Sequence, residues 1–304
     1  MFVIFLQQLI NGISLGSIYA LIALGYTMVY GIVLLINFAH GDILMVGAYA
    51  GYFALAWLSA DNAGDSVYIG ELALAFLFSM TLCAFLGMFI ERFAYRPLRS
   101  APRLNSLITA IAVSLMLQNG ARVLPFIGPN PRQFPRPPVS AVPLGPVSIS
   151  NIQLIVIALS AILMLALNYI INYTRRGKAM QAVSFDLQAS SLMGVSVNGA
   201  ISFTFALGSI LAAAGGILYA CAYPQISPTM GAMPGLKAFV AAVLGGIGSV
   251  PGAMLGGLLL GVIETLTKGF ISSQYADAIS FSILIIILLV KPAGILGKKT
   301  GVKV

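Results

Sequence analysis

The sequence predicts an all-α, polytopic transmembrane helical bundle, and three observations carry that expectation. Of 304 residues, 59% are hydrophobic and only 8% charged, whereas a soluble domain carries roughly a quarter charged residues. Apolar runs such as 152–171 and 281–290 are too continuous for a surface that faces water. A spanning helix needs about 20 mostly apolar residues, and such stretches lie at 2–30, 41–60, 71–91, 104–124, 151–172, 201–221 and 274–290. The region 236–267 has room for two short helices but is interrupted by Gly245-Gly246-Ile247-Gly248-Ser249-Val250-Pro251-Gly252. The reading is therefore about eight transmembrane helices with one broken or re-entrant segment near 236–267. A break at Gly246, Gly248, Pro251 and Gly252 is tolerated only where protein or a water-filled cavity satisfies the freed backbone, so it is expected to pack inside the protein.

The first segment is apolar from Met1 onward, with no basic residue ahead of it and no small-residue cleavage site. It reads as a retained span, not a removable signal peptide. Charge then sets orientation. The excess of 16 Lys+Arg over 8 Asp+Glu gives a net charge of +8, and the basic residues sit between apolar segments, as the positive-inside rule requires and a nucleic-acid groove does not. Arg92, Arg96, Arg99 and Arg103 in one connection, and Lys291, Lys298, Lys299 and Lys303 in the tail, place both regions in the cytoplasm. Connection 173–199 carries Arg175, Arg176 and Lys178 against Asp186 and is also inside, while 61–70 carries Asp61 and Asp65 and is outside. The N-terminus is then outside and the C-terminus inside, which demands an odd number of passages, so 236–267 must cross twice or dip in and return. Segment 125–150 holds eight prolines and is expected to be an irregular outside loop. Its Arg132 and Arg136 are the exceptions to the charge rule.

Small residues recur four apart at Gly12, Gly16 and Ala20, at Gly47 and Gly51, at Gly208, Ala212 and Gly216, and at Gly248, Gly252 and Gly256. Each set lines one helix face and lets a neighbouring backbone approach. The sole histidine lies in Ile36-Asn37-Phe38-Ala39-His40-Gly41-Asp42, a polar cluster wedged between two apolar segments. Three readings compete: a structural turn with Asn37 or Asp42 capping the next helix; a contribution of Asn37, His40 and Asp42 to a translocation path or its gate; and a proton relay through His40, which wants a chain of titratable groups that the neighbouring sequence does not supply. Glu264 and Lys268 are spaced for a helical ion pair, and Lys237 either reaches the interface or answers a carboxylate. Cys83 and Cys221 read as packing residues. No GxSxG, HExxH or phosphate-binding loop is present, and one histidine alone offers neither a triad nor a metal site.

The polar stretch 175–195 is long enough for four helical turns, with Ala182 and Ala189 forming a small-residue stripe able to receive a knob from another protein and Gly194 placed to end the helix. Together with Asn37-Phe38-Ala39-His40-Gly41-Asp42 and Leu244-Gly245-Gly246-Ile247-Gly248-Ser249-Val250-Pro251-Gly252-Ala253, it resembles the permeases of the branched-chain amino acid (LIV-I, or hydrophobic amino acid uptake) ABC transporters, over nearly the whole chain. The resemblance implies a single permease domain over 1–304 in a bacterial inner membrane, importing branched-chain amino acids by alternating access. It also implies a coupling segment at 175–195, with Arg176, Gly177, Ala182, Asp186, Ala189 and Gly194 facing an ATPase; Gln181 departs from the basic residue expected there. The implied partners are a second related permease, two ATP-binding subunits and a soluble substrate-binding protein. This chain would bind no cofactor, with ATP and Mg held by the partners. The rivals are a related permease for urea or amides, a structural subunit, or an ATP-independent carrier or channel for a small polar solute. Such a carrier would show a line of buried acids or inverted repeats with matched helix breaks, and one strong break is legible. Reporters fused after Arg99 or Lys299 should report cytoplasm and those at Asp65 or Pro138 the outside; an outside signal at Arg99 overturns this topology.

Overall fold

Long apolar stretches become helices because each backbone amide then finds its carbonyl four residues back, the only local solution lipid allows. The computed structural model describes residues 1–33, 37–58, 67–99 and 101–297; Ile36, Asp61, Asp65, Lys298, Lys299 and Lys303 lie outside them. The long helices are α1 (Phe2–Val33), α2 (His40–Leu58), α3 (Ile69–Ile90), α4 (Arg103–Val123) and α5 (Asn151–Tyr173). Two short helices follow, α6 (Arg175–Phe185) and α7 (Leu187–Leu192), then α8 (Val197–Ala222), α9 (Ala232–Gly245), α10 (Val250–Phe270) and α11 (Ala276–Val290). Proline falls inside only two of them, at Pro234 and Pro251, each in a first turn, where its missing N–H is harmless. Among the described residues, eight helices are long and apolar enough to cross a membrane, with the 14-residue α9 as a shorter ninth.

Contacts place the helix ends on two sides. On one side Gln7 near the start of α1 donates to the Ser148 carbonyl at 2.9 Å, and β1 (Arg132–Gln133) pairs with β4 (Gln225–Ile226). The proline-rich 125–150 is thus more ordered than an irregular loop: β2 (Ala141–Leu144) and β3 (Val147–Ser150) form a hairpin, turning at Gly145, whose φ of 64° suits the first position of a two-residue turn. On the opposite side Arg99 meets Asn198 at 2.7 Å, and the amides of Ile295 and Leu296 bond to the last carbonyls of α9 at 2.9 Å. Followed from end to end, the described chain makes nine passages, because residues 223–231 descend from the first side as non-helical chain before α9 completes the crossing.

Region 236–267 therefore resolves into a half-length helix and a full one. Gly246 and Gly248 take φ of 108° and 90° in the turn between α9 and α10, and Ser249 caps α10 by accepting from the Gly252 amide at 3.2 Å. Gly246 and Gly252 are buried, but Gly248 and Pro251 are exposed, so this turn closes one end of the bundle and is not a break packed at depth. The interruptions at depth lie before α2 and before α9. Neither reads as glycine-rich, which is why pattern alone misses them.

The two halves of the chain run in opposite senses. α1 packs along α10, and α3 packs along α8; α2 runs from mid-depth toward the first side and α9 from the same level toward the second. The α1–α10 seam is built from Gly12, Gly16 and Ala20 against Val262, Gly261 and Gly257. A Cβ at Gly257 would collide with the Ala20 backbone, which cannot swing aside as a side chain can. Gly257→Val should accordingly reach or exceed the upper end of the roughly 1–3 kcal/mol typical of overpacking, read as a lowered thermal midpoint in detergent; a wild-type midpoint would show the seam to be loose.

Candidate functional site

Polar groups at membrane depth are expensive; the side chains of Asn37 and Asp42 are answered from within the protein, whereas the buried His40 Nε2 has no hydrogen-bond partner among the described residues. The Asn37 side-chain oxygen accepts from the Ala39 amide at 3.1 Å and from the Tyr95 hydroxyl at 2.8 Å, an Asx turn that leads into α2. Asp42 accepts from Gln118 on α4 at 2.9 Å. His40, 1% exposed, lies in the slot between Gly25 of α1 and Gly208 of α8, its ring edge-on to Tyr26 at 4.6 Å. Gly208 sits 11 residues from the start of α8 and 14 from its end, so His40 is near half depth. At the same level Gly41 abuts Gly231 and Gly235 backbone to backbone. Two helices thus begin in mid-bundle, side by side, and diverge.

Each half also carries one buried glutamate. Glu264 on α10 is 1% exposed and accepts from Tyr19 of α1 at 2.9 Å, from Lys237 of α9 at 2.8 Å and from Lys268 at 2.6 Å. Lys237 also meets Asp277 of α11 at 2.6 Å. The expected i,i+4 pair of Glu264 and Lys268 therefore belongs to a four-charge network, and Lys237 answers two carboxylates. The second glutamate, Glu91, is fully buried where α3 loosens into a π-helical turn over Glu91–Tyr95. It pairs with Arg99 and accepts from Ser202 of α8 at 2.5 Å. Glu264 and Glu91 lie toward opposite sides of the bundle.

The stretch 175–195 differs from a single helix of four turns. It breaks at Asp186, whose carboxylate accepts from the amides of Gln188 and Ala189 at 2.8 and 2.9 Å and so caps α7. Gly194, at φ 79°, ends α7 in a Schellman turn, with the Val195 amide bonding to the Ser190 carbonyl at 3.0 Å. Arg176 stacks over Phe203 at 5.1 Å, Gly177 fits against the carbonyls that end α5, and Ala182 is half-buried. Of the six residues read from sequence, Arg176, Asp186, Ala189 and Gly194 are exposed, Ala182 is half-buried and Gly177 is buried. Beside them projects an apolar tip of Phe185, Leu187, Leu192 and Met193, the first and last 90% and 84% exposed. A sequence signal for it existed: apolar residues flanking an Asp in a polar segment have no lipid to face.

On the first side a cleft of about 400 Å³ opens between α1, α5, α8 and α10. Leu15, Val139 and Ile152 belong to its apolar lining and Gln8, Asn11 and Arg136 to its polar lining. Tyr223 also lines it.

A family profile described as "Branched-chain amino acid transport system / permease component" matches residues 8–288, taking in the mid-depth helix starts, both glutamates and the α6–α7 segment. The chain belongs to this permease family. Among the family's named members it is 43% identical over 309 aligned residues to the high-affinity branched-chain amino acid transport system permease protein LivH of Salmonella typhimurium, covering 100% of this chain and 99% of that one. It is likewise 43% identical to BraD of Pseudomonas aeruginosa, a permease protein of the same description, over 99% of this chain and 98% of the relative. A ribose import permease protein of Escherichia coli is 29% identical over 136 residues, 42% of each chain. For this permease, a multi-pass membrane protein, the buried charge network makes a sharp prediction. Glu264→Gln leaves Lys237 without a principal partner, and breaking a buried pair costs about 3–5 kcal/mol. The thermal midpoint should fall clearly and recover in part when Lys237→Met is added; equal midpoints for all three proteins would refute a structural role for the pair.

Proposed function

We propose that this chain is the membrane-spanning permease subunit of an ATP-driven importer of branched-chain, hydrophobic amino acids, working by alternating access in a bacterial inner membrane with its C-terminus in the cytoplasm. Residues 1–304 form one permease domain whose coupling segment is 175–195. ATP and Mg act in two partner ATP-binding subunits, a second related permease completes the pathway, and a soluble binding protein delivers substrate from outside. The observation that carries this reading is the α6–α7 tip: a large apolar surface at Phe185, Leu192 and Met193 on the arginine-rich side, beyond the spanning helices, in a family of transport permeases. A water-exposed apolar cluster calls for a protein groove, and a rigidly packed helix pair is suited to follow a partner's movement. Arg176, Gly177, Ala182, Asp186, Ala189 and Gly194 then act mainly by setting the shape of that tip. The inverted halves by themselves suit an ATP-independent carrier equally; the tip and the family membership favour coupling to an ATPase. At the mid-depth crossing Asn37, His40 and Asp42 gate the path, with helix break residues Gly246, Gly248, Pro251 and Gly252 letting α9 and α10 pivot.

The test is uptake of labelled leucine, competed by isoleucine, valine, urea and short amides, with binding-protein-stimulated ATP hydrolysis measured on the same purified complexes. Aliphatic amino acids should compete and urea should not. Ala182→Trp and Phe185→Asp should abolish both uptake and stimulated hydrolysis with the permease still present in the membrane, while Ser148→Ala retains both. His40→Ala should reduce uptake without loss of assembly. Full activity in Ala182→Trp and Phe185→Asp alike would leave 175–195 an ordinary connector.

A further inference from the structure

The outer cleft holds a charge that the rest of the structure leaves unused. Arg132 and Arg136 both lie on the side where the charge distribution disfavours cations, yet their surroundings differ. Arg132 donates to the Ile127 carbonyl at 3.1 Å and sits over the Tyr52 ring at 5.7 Å, which accounts for it. Arg136 is half-buried in the cleft wall and makes one long bond, to the Cys221 carbonyl at 3.4 Å; among the described residues no carboxylate pairs with it. Lys268, the other cation of the lining, is engaged by Glu264 at 2.6 Å. Among the described residues no acidic side chain lines the cleft, so that lining is net positive and the guanidinium keeps most of its five donors free of them.

We infer that Arg136 receives the α-carboxylate of the incoming amino acid in this cleft, while the apolar lining at Leu15, Val139 and Ile152 takes its aliphatic side chain. The inference rests on the importer reading and adds a substrate-recognition site to it. The planar guanidinium fork matches a carboxylate with two parallel hydrogen bonds. The amide oxygen of Gln8, which takes only a long bond from Asn11 at 3.4 Å, can accept from the ammonium group; the Asn11 oxygen is already engaged by Gln153 at 2.8 Å. At about 400 Å³ the cleft lies within the roughly 300–1,000 Å³ of small-molecule sites. A lining that combines a guanidinium with apolar side chains selects a ligand that carries both a carboxylate and a branched hydrocarbon. A sugar would leave the apolar lining wet and Arg136 unpaired. The cleft faces the side from which a delivered substrate enters, and its floor lies beside the Tyr19–Glu264–Lys237 network that bars the way inward.

The experiment uses the complete complex of permease and ATP-binding subunits in nanodiscs, without binding protein, and measures equilibrium binding of labelled leucine. Unlabelled leucine should displace it, as should 4-methylpentanoate, which lacks the ammonium group. Leucinamide, which lacks the carboxylate, should fail at the same concentration. Arg136→Gln should weaken leucine binding roughly tenfold or more, the scale of a lost charge-assisted hydrogen bond, and Arg136→Lys by less. Displacement by leucinamide as strong as by leucine, wild-type binding in Arg136→Gln, or no saturable binding to the wild-type complex would each overturn the site. The competition series uses wild-type protein and so decides the matter even if Arg136→Gln fails to assemble. Should Arg136→Gln hold leucine normally and lose only stimulation by the binding protein, Arg136 is a docking contact and the proposal falls. Uptake by wild-type proteoliposomes separates the two readings: no leucine uptake there sinks the importer itself, whereas uptake indifferent to Arg136 sinks only this cleft.

Discussion

Backbone without helical partners cannot stand in hydrocarbon, and this chain interrupts its helices at half depth twice. The arrangement of everything else follows from hiding those two interruptions. The residues before α2 and the segment before α9 are pressed together where Gly41 meets Gly231 and Gly235, with no room for a side chain on any of the three. α1 and α8 enclose the junction and are accordingly the most buried of the spans, whereas α4 and α11 are mostly exposed. The glycine seams along α1 and α10 serve the same end. Without an aqueous hydrophobic effect between helices, close backbone approach supplies the van der Waals contact that holds a bundle in lipid.

The buried glutamates mark where the halves are tied. Glu264 on α10, the third helix of the second half counted from α8, bonds to Tyr19 on the first helix of the first half. Glu91, at the end of the third helix of the first half, bonds to Ser202 on the first helix of the second. One tie lies toward each side of the bundle. A movement of one half against the other must stretch or exchange one set while the other can remain closed, and the charges are net-balanced within Glu264, Asp277, Lys237 and Lys268, so such an exchange need not strand an isolated ion.

Fold class was legible because lipid imposes a length and a composition that few other environments demand, and α1, α3, α5, α8 and α11 begin or end within a few residues of their apolar runs. The polar outposts were legible too, since Asn37, His40, Asp42, Lys237 and Glu264 are conspicuous against an apolar background. Hidden were the relations between distant segments. Nothing near Gly231 says that it touches Gly41, and Pro224 to Thr229 reads as a surface loop until the strand pairing with Arg132 and Gln133 shows where the chain turns inward. The α6–α7 segment shows the same limit at shorter range. Its polarity marked it as a connection outside the spanning helices, but Asp186 could cap a new helix or sit within an old one, and only the hydrogen bonds to Gln188 and Ala189 decide.

The 14 residues of α9 have a consequence for how the protein is made. A nascent segment partitions into the bilayer on its own when it offers about 20 apolar residues, and α9 with its proline-bearing approach does not. During synthesis it can settle only against α1 and α2 already in place, or wait until α10 emerges and the two enter as a hairpin closed at Gly246 to Ser249. The last third of the chain is therefore threaded onto a finished first half, and damage to α1 and α2 should be felt first as a failure of biogenesis and only afterwards as a failure of transport.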